Sequence, residues 1–173
     1  MNPQEPVVSN AGPLMALAKL NLLHLLKDLY GRIRFSQEVY AEVVERGMQQ
    51  GYDDARTLKL FLDQNDWTAE ERQIYPTSQF QDAHLDSGER ETLALAVHLG
   101  DALVLMDEIV GREIARQSGL KVRGTLGILI EAYQTQLISR DQIRFYLAEL
   151  ARREDIWIST SLIEAARREI LGE

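Results

Sequence analysis

Leu85-Asp86-Ser87-Gly88-Glu89-Arg90-Glu91-Thr92-Leu93-Ala94-Leu95-Ala96-Val97-His98-Leu99-Gly100-Asp101-Ala102-Leu103-Val104-Leu105-Met106-Asp107 decides how the rest of the chain is read. Asp86 to Glu89 has the capping-box pattern that opens a helix. Leu93, Ala96 and Val97 then recur at helical spacing, and Gly100 supplies a stop. Ala102 to Met106 predicts a short strand that delivers Asp107 at its end. Glu89 and Asp107 are 18 positions apart in sequence. A helix start and a strand end are both edge positions, so folding can still bring the two carboxylates together.

The same alternation extends in both directions. Pro6 to Ser9 predicts a first strand, and Asn10-Ala11-Gly12-Pro13 a turn whose proline suits a first helical turn. Leu14 to Leu20 predicts one helix, and Leu22, Leu25, Leu26 and Leu29 form the buried stripe of another. Arg32 to Phe35 reads as a second strand. Ser36 caps a third helix that buries Val39, Val43 and Val44 and turns Glu38, Glu42 and Glu45 elsewhere. Asp53 to Gln64 is helical. Asp66 to Asp86, with isolated Trp67, Ile74, Tyr75 and Phe80, reads as irregular chain with an edge strand near Trp67. After Asp107 come a helix at Ile109 to Gln117, a strand at Leu120 to Val122 and a helix at Thr125 to Gln136. A capping box at Ser139-Arg140-Asp141-Gln142 is next, then a strand at Ile156 to Ile158 and a terminal helix capped at Ser161.

Strands alternating with helices require crossover connections. The expected fold class is therefore α/β, a three-layer α/β/α arrangement with a mainly parallel sheet of four or five short strands flanked by helices. Residues 1–173 read as a single domain, with the C-terminal helices, 139–173, as an extension. Ligands of such sheets gather at the carboxyl ends of the strands. Asn10 and Asp107 sit at two of those ends.

Composition narrows the chemistry. The chain has no cysteine, which excludes disulfides and thiolate metal sites. With no signal peptide pattern and no membrane-length apolar run, the expectation is a cytoplasmic protein with no membrane partner. A net charge of −8 argues against holding nucleic acid by bulk electrostatics, although Arg112, Arg116, Lys121 and Arg123 stand against Glu113 alone between Gly111 and Gly124. His24, His84 and His98 lack metal spacing. Without triad logic or a glycine-rich phosphate loop, triad hydrolases and nucleotide-binding enzymes recede. A phosphoacceptor role for Asp107 would need an acidic pair after the first strand, where Asn10 is neutral.

Each polar residue has an ordinary structural reading: Glu89 as a capping-box residue, Asp107 as the N-cap of the next helix, Glu42 as a solvated helix acid, Asn10 as a turn residue. Together, Asn10, Glu42, Glu89 and Asp107 place four oxygen-bearing side chains at one edge of a parallel sheet. Hard divalent cations take such ligands, and a cation relieves the repulsion among gathered carboxylates.

Val7-Val8-Ser9-Asn10-Ala11-Gly12-Pro13-Leu14 resembles the opening of PIN-domain proteins. Val39-Tyr40-Ala41-Glu42-Val43 is similar to their second acidic motif, Gly88-Glu89 with Ala94 and Ala96 to the third, and Leu103-Val104-Leu105-Met106-Asp107-Glu108 to the fourth. The PIN-like subfamily DUF3368 shares Gly111-Arg112, Gly124-Thr125-Leu126-Gly127 and the closing Ile156-Trp157-Ile158-Ser159. The resemblance covers nearly the whole chain. It implies a Mg2+- or Mn2+-dependent ribonuclease acting on RNA, often the toxin half of a toxin–antitoxin pair with a small antitoxin protein. Asn10, Glu42, Glu89 and Asp107 would be its catalytic and metal-binding residues. Arg112, Thr125 and Ser9 are weaker candidates for substrate contact. The family's usual first acid is aspartate. An asparagine amide oxygen can ligate a cation but brings no charge and cannot act as a base. The alternative reading is a catalytically weakened PIN-like domain that works through partner or RNA binding. PIN-like domains often pair, and the leucine-rich helix Leu22 to Leu29 or the C-terminal helices would supply a homodimer surface.

Overall fold

The structure, a computed structural model, describes residues 5–71, 78–81 and 84–172. Three strands, β1 (Val7–Ser9), β2 (Leu103–Leu105) and β3 (Lys121–Arg123), form a parallel sheet in the order β1-β2-β3. The helices are α1 (Ala11–Lys19), α2 (His24–Tyr30), α3 (Gln37–Tyr40), α4 (Gly47–Gln49), α5 (Asp53–Gln64), α6 (Ser87–Leu99), α7 (Ile109–Gln117), α8 (Thr125–Gln134), α9 (Arg140–Arg152) and α10 (Thr160–Leu171). A π-helical stretch, Ala41–Arg46, joins α3 to α4, so that Gln37 to Gln49 runs as one helix with a widened middle.

The sheet is smaller than the four or five strands expected. Arg32 to Phe35 contributes only one bridged residue, Arg34 beside Val8. Arg34 exchanges backbone bonds with Val7 and Ser9 at 2.8 and 2.9 Å, and the chain then turns at Ser36, whose hydroxyl accepts from Val39 N to start α3. Ile156 to Ile158 is not a strand, because this loop bonds to itself (Ile158 N to Ile156 O, 3.2 Å) and has no neighbouring strand among the described residues. Among the described residues, no strand forms near Trp67 either. That indole is buried and packs edge-on against Phe61, with ring centroids 5.3 Å apart. Ile74 and Tyr75 lie outside the described residues. The terminal helix starts at Thr160 after Ser159 rather than at a Ser161 cap.

Strand alternation splits the apolar residues between two layers. Val7, Leu103 and Leu105 face one hydrophobic cluster with α1, α2, α8, α9 and α10, and Val8 and Val104 face the other with α6 and α7. Helices therefore cover both faces, as an all-parallel sheet requires. Ile143, Leu147, Leu150, Ile163 and Leu171 belong to the first cluster, so the C-terminal helices help build the same core. Leu22, Leu25 and Leu26 are buried there too, which removes that stripe as a dimer surface. Among the described residues no helix is long and apolar enough to cross a membrane.

Strand register sets the geometry of the carboxyl edge. Ser9 pairs with Leu105 and Leu105 with Arg123, so the three carboxyl ends are level. Asn10 N then donates to Leu105 O and Met106 N to Arg123 O, both at 2.9 Å. Asn10, Asp107 and Thr125 consequently emerge from one edge within two residues of the last paired position.

Candidate active site

Asn10 occupies the N-cap of α1, where an amide oxygen ordinarily accepts from the N–H of the second or third helical residue. Here the third is Pro13, which has no N–H. The Asn10 side chain makes no capping bond, and its Oδ1 is buried without any hydrogen-bond partner. Such an atom costs free energy unless something else satisfies it.

Glu42 sits in the π-helical stretch. π-turns are rare and recur at functional sites, because the extra residue per turn re-aims a side chain. Burial holds the Glu42 carboxyl above its ordinary pKa; the charge of Asp86 adds to the effect, Arg46 opposes it, and Glu38 adds a little more. Glu89, 6% exposed, realises the capping box seen in the sequence: Asp86 Oδ1 accepts from Glu89 N at 2.8 Å and Glu89 Oε2 accepts from Asp86 N at 2.9 Å. Its pKa is also raised, first by burial, with the bond from Asp86 N opposing and the charges of Asp86, Glu108 and Glu42 adding. The capping role uses one carboxylate oxygen and leaves the chemistry of the second open.

Asp107 is not the cap of the following helix. That place belongs to Glu108, which makes no capping bond. The Asp107 carboxylate reaches instead to the start of α8, accepting from Thr125 N at 2.7 Å and from Thr125 Oγ1 at 2.6 Å. An anion at a helix N-terminus is favoured by the orphan amides and the helix dipole. Burial nevertheless raises the Asp107 pKa, against the lowering effect of the two Thr125 bonds and of Arg112. Gly124 makes this approach feasible, since a Cβ there would lie 2.8 Å from Asp107 Oδ1 and 2.5 Å from Arg112 Nη1.

Asn10, Glu42, Glu89 and Asp107 all line one cavity of about 680 Å³. Gly88 marks the junction of three of its walls: a Cβ there would lie 3.3 Å from Glu42 Oε2, 3.4 Å from Asp86 Oδ1 and 3.7 Å from Asn10 Oδ1. The weaker candidates are placed differently. Ser9 is fully buried and donates to Asn10 O at 2.9 Å, Arg112 donates to Met106 O at 2.9 Å, and Thr125 is fully buried against Asp107. None of the three lines the cavity. Asp54, Asp86, Glu108 and Asp155 do, and sequence reasoning did not single them out. Asp86 carried a signal, its place at the N-cap beside Glu89. Asp54 and Asp155 carried none, because distant segments bring them in. Arg153 holds the Asp155 carboxyl well below its usual range, at about 2.

Among the described residues, no three His, Cys, Asp or Glu side chains gather closely enough to form a ready cation cage. Two of the acids are partly engaged, Glu89 by Asp86 N and Asp107 by Thr125. The donor set still suits a hard cation. Mg2+ usually takes one or two carboxylates and completes its shell with waters and substrate phosphate. The buried, unpartnered amide oxygen of Asn10 is a further hard donor.

A parallel three-layer α/β fold with acids collected at the carboxyl edge of its sheet defines a class of protein in which the strand ends carry the site. The family model DUF3368, described as a PIN domain, matches residues 6–171, and the chain belongs to that family. The family is nuclease-like. No curated protein and no solved structure matches the chain.

Proposed function

We propose that this protein is a Mg2+- or Mn2+-dependent ribonuclease that hydrolyses phosphodiester bonds, and that it serves as the toxin of a pair with a small antitoxin protein. The observation that carries the enzymatic reading is the Asn10 amide oxygen, buried and without a partner in a cavity walled by carboxylates whose protons burial already favours. Glu42, Glu89 and Asp107, with Asn10, would hold the cation. When bound, it supplies the positive charge that activates a water and stabilises the leaving oxygen. The chain's own residues prepare that step. Thr125 orients Asp107 through two bonds, and the backbone of Asp86 fixes one oxygen of Glu89. Arg112 is tied to Met106 O at the end of the strand that delivers Asp107. A homodimer through the C-terminal helices belongs to the same reading, since Phe145 on α9 and Leu162 on α10 are exposed.

The neutral Asn10 favours a second reading, a weakened relative that acts by partner or RNA binding. One experiment separates the two. Wild type, Asp107→Asn and Asn10→Asp are incubated with a mixed RNA pool in Mn2+ or EDTA. A nuclease cuts in Mn2+ alone, loses cutting with Asp107→Asn, and keeps or gains it with Asn10→Asp. Cutting that survives Asp107→Asn refutes the assigned mechanism. A wild type that neither cuts nor binds Mn2+ leaves the partner-binding reading.

A further inference from the structure

Trp157 is 90% exposed and Tyr52 is 51% exposed, yet both belong to the wall of the acid-lined cavity. The loop that carries Trp157 is firmly held. Arg153 forks onto the Asp155 carboxylate at 2.8 and 2.7 Å, and Lys19 Nζ donates to Asp155 O at 2.7 Å. Arg153 Nη1 also donates to Lys19 O at 3.3 Å, and Ile156 anchors the loop in the core. Tyr52 stands at the N-cap of α5, where its backbone N–H donates to Gly47 O at 3.0 Å. Two aromatic rings are thus presented to solvent from ordered supports at the mouth of the cavity.

The charge around them is wrong for gripping a polyanion. The described wall carries seven carboxylates and one cation, Lys19, whose Nζ is 3.8 Å from the Asp155 carboxylate. Phosphate contacts from side chains cannot supply the affinity there. Stacking engages the π-faces of bases and not their phosphates, and it tolerates any sequence. A duplex hides its base faces inside the helix, whereas an unpaired strand offers them.

We propose that Trp157 and Tyr52 are base-stacking residues that grip the unpaired RNA strand at the mouth of this site, an inference that rests on the proposed ribonuclease activity. The test uses the full chain carrying Asp107→Asn, which keeps bound RNA intact, in Mg2+. The probe is an oligoadenylate of about ten nucleotides, within the span of known single-strand sites. Trp67 is buried against Phe61, so a Trp67→Phe background lets tryptophan emission report Trp157 alone. Oligoadenylate should quench that emission. In protein that keeps Trp67, Trp157→Ala and Tyr52→Ala should each weaken binding by about 5- to 100-fold, measured with a labelled oligonucleotide. Trp157→Phe should keep most of the affinity, and a blunt RNA duplex should bind at least about tenfold more weakly. Unchanged binding by Trp157→Ala or equal affinity for the duplex overturns the proposal. So does emission that responds to protein concentration instead of RNA, since a second copy would then cover the indole. Stacking-dependent binding without Mn2+-dependent cutting by the wild type sinks the nuclease reading alone. Cutting that is indifferent to both aromatic variants sinks this inference alone.

Discussion

Thr125→Val probes the link between sheet edge and site most directly. Thr125 is fully buried and gives Asp107 two bonds, one from its hydroxyl at 2.6 Å and one from its backbone N–H at 2.7 Å. Valine keeps the shape, so no cavity opens, and the backbone bond remains. Above the raised pKa of Asp107, what disappears is one hydrogen bond to a largely desolvated carboxylate, a loss of about 2 kcal/mol. In a chain of this size that lowers the melting temperature by about 4–8 °C. When Asp107 is replaced by Asn, its one oxygen takes the Thr125 N–H and its amide nitrogen donates to the hydroxyl, a neutral bond whose removal costs only about 1 kcal/mol. The double-mutant cycle should therefore show a coupling of about 1 kcal/mol, well outside the additivity expected of unlinked sites. Urea unfolding of wild type, both single variants and the double variant measures it. Additive costs would mean that the hydroxyl does not hold Asp107, and the account of how this carboxylate is aimed would fall.

The same geometry sets three further outcomes. Mn2+ should raise the melting temperature by mass action, and Glu89→Gln combined with Asp107→Asn should remove the increase; an unchanged increase would place the ion elsewhere. Glu42, Glu89 and Asp107 have folded-state pKa values above their ordinary 4.5, 4.5 and 3.8. The folded state then binds more protons than the unfolded state in the window above those values, so these groups lower stability as pH rises through it. Glu42→Gln should accordingly gain stability relative to wild type as pH rises above 4.5 in EDTA, and a difference that stays constant as pH rises would contradict the burial argument. Gly124→Ala forces a methyl within 2.8 Å of Asp107 Oδ1, and should cost about 1–3 kcal/mol and weaken Mn2+ binding; unchanged unfolding and unchanged binding would show that the approach is not tight.

The order of elements was legible because it rests on local chemistry. The capping boxes at Asp86 and Ser139 form as the sequence predicts, since each needs only a four-residue pattern. The heavily apolar runs at Val7 and Leu103 become strands for a similar reason: a segment buried on both faces has no polar side to show. Short segments at the margin of the sheet depart from expectation. Arg32 to Phe35 alternates like a strand, but the turn into Ser36 leaves room for one bridge. Ile156 to Ile158 is apolar enough for a strand, but contacts from Asp155 to Arg153 and Lys19 hold it as a loop.

The sequence by itself determined that Asn10 and Asp107 stand at the ends of strands and Glu89 at the start of a helix, and strand ends of a parallel sheet must share an edge. It also determined that Asn10 lacks one capping partner, because Pro13 has no N–H to give. Only the tertiary structure decided how those atoms are used. Thr125 is 18 positions beyond Asp107 and becomes its partner because β2 and β3 lie side by side in register. Asp54, Asp155 and Trp157 reach the cavity from segments that no local pattern connects to it. Hydrogen-bond patterns and apolar periodicity act over a few residues and are written in the chain. Proximity between distant segments comes from packing the whole core, and a pattern a few residues long does not encode it.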